Sequence, residues 1–397
     1  MLALALTLAS TLPSQACVVT LTEGRRTKGE VVGYSAGGDG ALELRVDGET
    51  RRFPLSEVLS VHGVAPTRIG SVEAVLVGGE TLNGELRAGD PDGETFGLHS
   101  ASLGDLGVPI DRLRVLVFRE RAEDALPGTF RIPADAEEDE ALFRRARNVG
   151  FSRLLGGIHR FRAESVLFQV GDRPPEPYRY DDLVAIVLRG GIAREKPAEA
   201  LLMTRSGDVV GVDVRGFDRG RFEFSIETSD RPFELGIEDI AVLSWTGFGR
   251  RFLSDLDPES VEERGYFDEG EPLMPFRRDR SVTGAYLVSD DIAFAKGVGV
   301  HSASVLRYRV PDGVRSFQTA LGVCDEVRTL GVRARVSASI SIDGKEAWSA
   351  SDLTAAAGAV SIPSLAVAPG GVVELRVGFG EGLDIGDRVG WLGAVFY

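Results

Sequence analysis

Alternating apolar and polar residues fill most of the chain in short runs. The segments Leu42–Val46 and Arg221–Ile226 alternate with a period of two, which is typical of strands that bury one face. Glycine-containing pairs such as Gly78-Gly79 and Ser206-Gly207 separate these runs, and hairpin turns favour glycine because it adopts positive φ without steric cost. The pattern therefore predicts an all-β protein built from many short antiparallel strands.

The first 250 residues repeat this pattern weakly, four times. The clearest shared feature is a closing segment, in which an aromatic or apolar residue is followed by a short loop and another apolar strand. This segment occurs at Phe53–Val58, Val108–Leu113, Tyr178–Leu183 and, in a looser form, Phe233–Ile240. Such a repeat predicts small β-barrel-like units similar to Sm-like barrels, two within residues 17–120 and two within residues 151–249.

The segment between the two pairs of units has a different pattern. Residues 136–147 read AEEDEALFRRAR, with acidic residues first and basic residues last. This order suits the dipole of a helix and allows Glu and Arg four residues apart to pair. We predict a helical acidic linker over residues 121–150.

The amino terminus has the pattern of a leader. Residues 1–16 are mainly apolar, contain no Lys or Arg, and end in Ser14-Gln15-Ala16, a small-x-small cleavage sequence. The apolar run is shorter than the roughly 20 residues that a membrane-spanning helix needs. We predict a signal peptide over residues 1–16, no transmembrane span, and a secreted or periplasmic, cell-envelope location.

Cys17 directly follows the predicted cleavage site and is compatible with three states. The segment resembles a lipobox in part, which implies a lipid anchor at Cys17, although Ser14 stands where leucine is usual. An unmodified cysteine is the second state. A disulfide bond to Cys324, the other cysteine of the chain, is the third.

The charge balance and the histidines limit the function. The chain has 45 basic and 60 acidic residues, a net charge of −15, so a nucleic-acid partner is not expected because its phosphates would be repelled. His62, His99, His159 and His301 lie in separate segments, and the chain has no zinc-protease motif or phosphate-binding loop. We predict a non-catalytic protein. A weak glycosidase stays open as an alternative, because it needs only two suitably spaced carboxylates.

From about residue 250 onward, short strands follow one another at even spacing. They include Val305–Val310, Ser316–Val323, Val372–Phe379 and Trp391–Tyr397, with turn residues between them. Regular short strands with turn signals predict an antiparallel, jelly-roll-like β-sandwich over residues 250–397.

A series of motifs in the same region occurs in the order of a known family. The motifs are Phe252-Leu253-Ser254-Asp255-Leu256, Arg278-Asp279-Arg280, Ala295-Lys296-Gly297-Val298-Gly299-Val300-His301-Ser302, Gly322-Val323-Cys324-Asp325-Glu326 and Ser341-Ile342-Asp343-Gly344-Lys345-Glu346-Ala347-Trp348. The series resembles the NPCBM family of carbohydrate-binding modules, which is also known from family-98 glycoside hydrolases. The resemblance covers residues 250–397 and implies a sugar-binding module, usually appended to a larger secreted protein and often accompanied by calcium.

Four residues of this region are candidates for carbohydrate binding. A sugar ring needs an aromatic face for its C–H groups and polar side chains for its hydroxyls. Trp391 follows an acidic loop and is the predicted stacking platform, with burial in the core as the alternative, whereas Trp348 is expected in the core. Arg278 and Arg280 would contact an anionic sugar or form salt bridges, and His301 would bind sugar or make a structural hydrogen bond.

Two acidic loops are candidates for a calcium site. The residues concerned are Asp325 and Glu326 in one loop and Glu381, Asp384 and Asp387 in a glycine-rich loop. Calcium prefers six to eight oxygen ligands, which clustered carboxylates and carbonyls supply. The glycine-rich loop departs from the family pattern, and Cys324 stands where the family usually has an aspartate.

Together these observations predict a secreted or envelope-associated, non-catalytic protein that binds a polysaccharide or other glycan through its C-terminal module. The barrel-like units would act as spacers or as protein-interaction units. The alternative is a structural or assembly protein whose sandwich contacts envelope proteins, which the altered acidic loop favours.

Overall fold

The computed structural model describes residues 16–397 except 38–39, 91–92, 126–139, 146–150, 190, 192–196, 228, 230, 268–273 and 381–382. Antiparallel strands dominate these residues, and the all-β prediction is confirmed. The predicted leader lies outside the described residues apart from Ala16. In the part of the chain that the structure describes, no helix is both long and apolar enough to cross a membrane.

Residues 17–245 form four successive units of five strands. The first unit contains β1 (Cys17–Leu21), β2 (Arg26–Ser35), β3 (Ala41–Val46), β4 (Glu49–Pro54) and β5 (Val58–His62). The second contains β6 (Val72–Leu76), β7 (Thr81–Arg87), β8 (Thr95–Ser100), β9 (Gly104–Pro109) and β10 (Leu113–Phe118), followed by helix α1 (Arg119–Ala125). The third contains β11 (Glu140–Arg145), β12 (Phe151–Phe161), β13 (Ser165–Gln169), β14 (Glu176–Arg179) and β15 (Leu183–Val187). The fourth contains β16 (Ala200–Thr204), β17 (Val209–Asp218), β18 (Arg221–Ile226), β19 (Phe233–Gly236) and β20 (Ile240–Trp245).

All four units share one strand order, in which the fifth strand pairs with the first and the first four pair in succession. In the first unit this gives β5-β1-β2-β3-β4, and the other three follow the same order. The long second strands β2, β12 and β17 each carry a register shift, a feature that bends a strand. Among the described residues no ladder joins the fourth strand of a unit to its fifth. The likeness to Sm-like barrels therefore stays a prediction.

The closing segments found in the sequence are the links between fourth and fifth strands. In the second, third and fourth units each link is a 3₁₀ turn, at Ile110–Arg112, Tyr180–Asp182 and Ile237–Asp239. Tyr180 and Ile237 are buried in the core of the repeats. The aromatic and apolar positions of this signature therefore anchor the turn that leads into the last strand.

The helical linker predicted over residues 121–150 is wrong at residues 140–145, although helix α1 covers residues 121–125. Glu140–Arg145 form β11, which pairs with β12 on one side and β15 on the other. Ala141, Leu142 and Phe143 are fully buried, so both faces of the strand lie in apolar surroundings. Pairing on two sides and burial on two faces outweigh the charge order that favours a helix. The third unit therefore begins inside the predicted linker.

Residues 251–396 form a β-sandwich, called the C-terminal sandwich below, which confirms the predicted sandwich. Its first sheet has the order β23-β26-β34-β28-β31, with β21 beside β34 and β32 beside β28; its second has the order β22-β27-β33-β29-β30; β24 and β25 form a hairpin. The strands are β21 (Arg251–Phe252), β22 (Ser260–Glu263), β23 (Arg277–Arg278), β24 (Leu287–Ser289), β25 (Ile292–Phe294), β26 (Gly297–His301), β27 (Ser304–Arg309), β28 (Ser316–Val323), β29 (Val336–Ile342), β30 (Lys345–Leu353), β31 (Val360–Ser361), β32 (Leu365–Ala366), β33 (Val372–Phe379) and β34 (Arg388–Phe396). The sheets share a core whose largest side chains are Trp391, Tyr308, Phe317 and Phe396.

The sandwich docks on the repeats around the β24–β25 hairpin. Residues of the sandwich and of the fourth unit form one buried cluster there, made of Tyr286, Ala293, Ala295, Met203, Val209, Ala241 and Val242. A second cluster joins Leu59 of the first unit to Phe252 and Val395 of the sandwich. Apolar burial of this kind stabilises an interface in proportion to the area removed from water.

A buried carboxylate lies where the second unit, the fourth unit and the sandwich meet. Asp208 is fully buried. One carboxylate oxygen accepts the backbone N–H of Asn83 at 2.8 Å, and the other accepts the hydroxyls of Ser100, Thr204 and Ser206 at 2.7 to 2.8 Å. A buried charge is tolerated only when its hydrogen bonds are satisfied, so this group holds donors from two units in place.

The sandwich reaches the same junction through Tyr286. The Tyr286 hydroxyl donates to the carbonyl oxygen of Gly207 at 2.8 Å. The Asn83 amide nitrogen donates to the same carbonyl at 2.6 Å, and the Arg119 guanidinium donates to the Asn83 amide oxygen. The polar network thus continues from the repeats into the sandwich.

Two cysteines are buried as free thiols, so the Cys17–Cys324 disulfide is not formed in this structure. The Cys17 thiol donates to the Gly29 carbonyl at 3.3 Å, and burial raises its pKa to about 11. A lipid anchor would need this sulfur at the surface, and the anchor stays a prediction.

Replacing Asp208 with alanine is expected to lower the free energy of unfolding by about 3 to 5 kcal/mol, because four buried donors lose their acceptor. Asp105, whose side chain is 81% exposed, provides the matched control, and Asp105→Ala should cost less than about 1 kcal/mol. Urea denaturation of both variants measures the difference. Equal small losses would contradict a junction held by Asp208.

His62 of β5 is fully enclosed between the first unit and the sandwich. Its Nδ1 lies 2.8 Å from the Ala293 carbonyl oxygen, and its Nε2 lies near the hydroxyls of Thr20 and Ser60 at 3.1 and 2.7 Å. Since a carbonyl only accepts, Nδ1 carries the proton and Nε2 accepts. Burial lowers the pKa of His62 to about 4.

Acid is therefore expected to weaken the protein through His62. An unfolded chain restores a pKa near its usual value of about 6.5, so the unfolded state binds more protons between pH 6.5 and 4, and stability falls as the pH falls through this window. Compared with His62→Gln, the wild-type free energy of unfolding should drop by about 2 kcal/mol more between pH 7 and pH 5. Urea titrations at the two pH values test this, and the same pH dependence in both proteins would count against it.

Candidate functional site

An open cavity of about 480 Å³ lies at one end of the sandwich, where β22 and β26 end and β34 begins. We call it the His301 cavity. Its polar lining residues are Glu263, Arg264, His301, Ser302, Asp384 and Arg388, and its apolar ones include Met274, Leu330, Val332 and Ile385. Strand pairing fixes part of this arrangement, because His301 and Arg388 are cross-strand partners. The volume lies in the range of small-molecule sites.

His301 enters the cavity in a defined orientation. Its Nδ1 lies 2.8 Å from the carbonyl oxygen of Ser302, so in the neutral ring Nδ1 donates and Nε2 is the acceptor nitrogen. Ser302 is buried behind it and donates its hydroxyl to Asp387 at 2.6 Å. His301 therefore lines a cavity, and its predicted role in carbohydrate binding stays a prediction.

Asp387 supports the cavity wall from beneath. It is 1% exposed, and besides the Ser302 hydroxyl it accepts the backbone N–H of Arg335 at 3.3 Å. Burial raises the pKa of this carboxyl, while the two hydrogen bonds act in the opposite direction. Asp387 is thus a positioning residue for Ser302 and not a surface ligand.

Two adjacent aromatic side chains beside the cavity escaped the sequence analysis. Tyr266 and Phe267 follow Gly265, which lines the cavity, and their side chains are 45% and 84% exposed. Their rings meet edge to face at 4.9 Å, and Tyr266 meets Phe379 in the same way at 5.0 Å. The Tyr266 backbone N–H donates to Asp384 at 3.1 Å, which ties the pair to the acidic loop. In the sequence, the only indication of this pair was that two adjacent aromatic residues occur in an otherwise polar segment.

The predicted stacking role of Trp391 is wrong. Its side chain is 0% exposed and belongs to the core between the sheets. Trp391 pairs with Val298 and Leu321 in the middle of the first sheet, and the alternation along β34 turns the ring inward. Trp348 packs against the same core while partly buried, as expected.

Arg278 and Arg280 lie outside the His301 cavity. Both line a separate cleft of about 500 Å³ between the sandwich and the repeats, called the interdomain cleft below. Arg278 forms a 2.6 Å salt bridge with Asp257. Arg280 lies over the ring of Tyr286 at 4.8 Å. The polar residues predicted to bind carbohydrate are therefore divided between the His301 cavity and the interdomain cleft.

The first acidic loop is already hydrogen-bonded to the protein. The Asp325 oxygens accept the backbone N–H groups of Asp290 and Asp291 at 2.9 and 2.8 Å. Glu326 accepts the Ser281 hydroxyl at 2.6 Å. These carboxylates connect the 3₁₀ turn Asp325–Leu330 to neighbouring loops.

The described members of the predicted calcium set do not form one site. Asp384 lies at the His301 cavity, Asp387 beneath it, and Glu381 outside the described residues. Among the described residues, no group of three or more His, Cys, Asp and Glu side chains is arranged to hold a metal ion. The four described residues of the predicted set therefore do not surround a single calcium ion, and calcium binding is a prediction to be tested by experiment.

Residues 249–397 match the NPCBM/NEW2 domain model. The resemblance carried by the motif series is thereby confirmed for this part of the chain, which we call the NPCBM-like module. Residues 1–248 lie outside the match. No curated protein matches the chain.

Several solved structures of carbohydrate-binding modules are similar to the chain. A CBM51 from Clostridium perfringens GH95, in complex with methyl-galactose, is 20% identical, with a TM-score of 0.32, over 37% of this chain and 99% of that one. The tandem CBM51 modules of a family 98 glycoside hydrolase from Streptococcus pneumoniae are 23% identical, with a TM-score of 0.31, over 37% of this chain and 47% of theirs. The CBM51-2 and INT domains of Clostridium perfringens ZmpB are 22% identical, with a TM-score of 0.32, over 48% and 41%. The assignment of residues 249–397 as an NPCBM-like module rests on the match to the family model.

Adding calcium or a chelator is expected to change the thermal midpoint of the full chain by less than about 1 °C. The described carboxylates of the predicted set already accept hydrogen bonds from protein donors. An ion that does not bind the folded state cannot stabilise it. Differential scanning fluorimetry with 5 mM CaCl₂ or EDTA, on the order of typical saturating conditions, measures the shift. A calcium-dependent rise of several degrees, absent in Asp384→Asn, would instead establish a calcium site at the cavity.

Proposed function

We propose that the protein binds a glycan in the His301 cavity, as a non-catalytic, secreted or envelope-associated binding protein. The observation that carries the proposal is the exposed Tyr266–Phe267 pair beside a cavity lined by polar and charged side chains. The match of the module to a carbohydrate-binding family supports it.

The aromatic pair supplies the apolar half of a sugar site. Phe267 is the most exposed of the large apolar side chains among the described residues, and Tyr266 holds it from one side. A pyranose has a face of C–H groups that covers an aromatic ring and removes it from water. Ile385 and Leu330, 55% and 46% exposed, extend the apolar surface at the cavity.

The polar lining supplies the other half. Sugar hydroxyls both donate and accept, so a site needs partners of both kinds. Arg264 and Arg388 are donors, Asp384 is an acceptor, and neutral His301 offers Nε2 as an acceptor. The cavity thus provides the groups that orient a neutral sugar.

The repeats act in this proposal as a rigid support. The NPCBM-like module docks on them through apolar clusters and through the network around Asp208 and Tyr286. A docked module presents the His301 cavity in a fixed direction. The expected signal segment over residues 1–16 supports an extracytoplasmic location.

An assembly role is the second candidate. The module already uses one face for a protein contact, because the cluster around Tyr286 joins it to the fourth unit. A module that binds protein on one face is also suited to recruiting an envelope partner.

The first test is a glycan array probed with the full chain, wild type and Phe267→Ala. We expect selective binding that weakens about fivefold in the variant, since an aromatic–sugar contact contributes on the order of 1 kcal/mol. Leu155→Ala, at an apolar residue of the third unit that is 47% exposed, is the control and should bind as wild type does.

Two outcomes would sink the glycan proposal. One is a silent array with a folded full chain, and the other is unchanged binding by Phe267→Ala. Recovery of one defined envelope protein by such a chain would favour the assembly role. Turnover of chromogenic glycosides would contradict the non-catalytic assignment.

A further inference from the structure

The interdomain cleft has walls from three parts of the chain. The β6–β7 turn of the second unit contributes Gly78 to Thr81, the fourth unit contributes Leu201 and Val209, and the NPCBM-like module contributes residues around Arg280 and Lys296. Its volume of about 500 Å³ matches that of the His301 cavity and is enough for a small sugar. The cleft exists only because the module docks on the repeats.

Most charges in the cleft are paired within the protein. Lys296 contacts Asp255 at 2.5 Å and Asp279 at 3.0 Å. Glu80 contacts Arg112 at 3.3 Å and also accepts a backbone N–H. Such pairs have little residual attraction for an external ion.

The other charged residues that line the interdomain cleft are also paired with an opposite charge, with the exception of Arg280. Glu73 lies 3.8 Å from Arg68, and Arg278 lies 2.6 Å from Asp257. Arg280 has no carboxylate partner among the described residues; its guanidinium donates only to the Asp279 carbonyl at 3.1 Å and to the Thr81 hydroxyl at 3.4 Å. Arg280 is therefore the cation of this cleft with capacity for an external anion.

The Arg280 guanidinium is held over the ring of Tyr286. It stacks on Tyr286 at 4.8 Å, and Tyr286 is 8% exposed and hydrogen-bonded to Gly207. A stacked guanidinium keeps its planar edge of N–H donors, and that edge matches a carboxylate in a bidentate arrangement. Immobilisation before binding lowers the entropy lost on binding.

Groups suited to sugar hydroxyls surround this cation. The Thr81 side chain, which contacts Arg280, and Asp255 line the same cleft. Gly78 and Gly79 have positive φ, and a Cβ added at either would meet nothing within 4 Å, so the β6–β7 turn leaves the entrance open. A carboxylate at Arg280 would thus bring an attached ring beside donors and acceptors.

We infer that the interdomain cleft is a second ligand site, which binds the carboxylate of a uronic acid at Arg280. It is distinct from the His301 cavity and needs both the repeats and the module. This gives the second and fourth units a direct part in ligand recognition.

Calorimetric titration of the full chain with D-glucuronate, D-glucose and acetate tests the inference. Glucuronate carries both ring and carboxylate, whereas glucose lacks the charge and acetate lacks the ring. We expect glucuronate to bind at least tenfold more tightly than either, and more weakly as salt is raised because the contact is charged. Equal affinity for glucuronate and glucose, equal affinity for glucuronate and acetate, or no glucuronate binding would overturn the inference.

Substitutions locate the site. Arg280→Gln should weaken glucuronate binding at least tenfold, and Arg280→Lys, which keeps the charge without the planar edge, should weaken it by a smaller factor. Arg51→Gln, at an exposed arginine paired with Glu49, is the matched control and should have no effect. Unchanged affinity in folded Arg280→Gln would contradict the site. If that variant does not fold, Thr81→Val tests the same contact from the repeat side, and unchanged affinity there would count equally against it.

The two sites fail separately. Phe267→Ala removes an aromatic ring at the His301 cavity and should leave glucuronate binding intact. If Phe267→Ala abolishes glucuronate binding and Arg280→Gln does not, the uronate occupies the His301 cavity, and the inference falls while the proposed glycan site stands. If the glycan array is silent but glucuronate binding depends on Arg280, the uronate site in the interdomain cleft stands and the proposed glycan site in the His301 cavity falls.

Discussion

The buried carboxylate of Asp208 sets the junction on which the arrangement of this protein depends. Four hydrogen-bond donors from the second and fourth units converge on it. Because a carboxylate without access to water is destabilising when any of these hydrogen bonds is lost, the donors are held in fixed positions. Tyr286 extends the junction into the module through Gly207. Because Tyr286 also carries Arg280 on its ring, the same network that fixes the domains fixes the cation in the cleft between them.

Docking and the proposed glycan site use different residues of the module. The interface relies on the β24–β25 hairpin and on residues such as Phe252, whereas the His301 cavity lies where β22 and β26 end. A ligand in the cavity therefore does not compete with the repeats. The interdomain cleft is different, since its walls come from both sides of the interface. A carbohydrate-binding fold thereby gains a second concave surface from its neighbours.

The candidate site was predictable only in part. His301 was singled out by its motif and Asp384 by an acidic loop predicted to bind calcium, and the fold brings both to one cavity. Trp391 was misplaced because proximity in sequence to an acidic loop says nothing about which side of a strand faces the core. Tyr266 and Phe267 were missed because they lie in a loop, where no periodicity marks exposure. The predicted calcium ligands were chosen because carboxylates cluster in two loops, but the oxygens of Asp325, Glu326 and Asp387 accept hydrogen bonds from different protein donors.

The sequence by itself determined the all-β class, the repeated turn into each fifth strand and the NPCBM-like module, because these follow from alternation, turn residues and short motifs. Only the tertiary structure decided that residues 140–145 are a strand, since β12 and β15 cover both of its edges. It also decided which of the predicted acidic ligands are bonded to protein donors, and which arginine lining the interdomain cleft lacks a carboxylate partner among the described residues. Those properties depend on neighbours hundreds of residues away, such as Thr81 beside Arg280, and a linear pattern carries no record of such contacts.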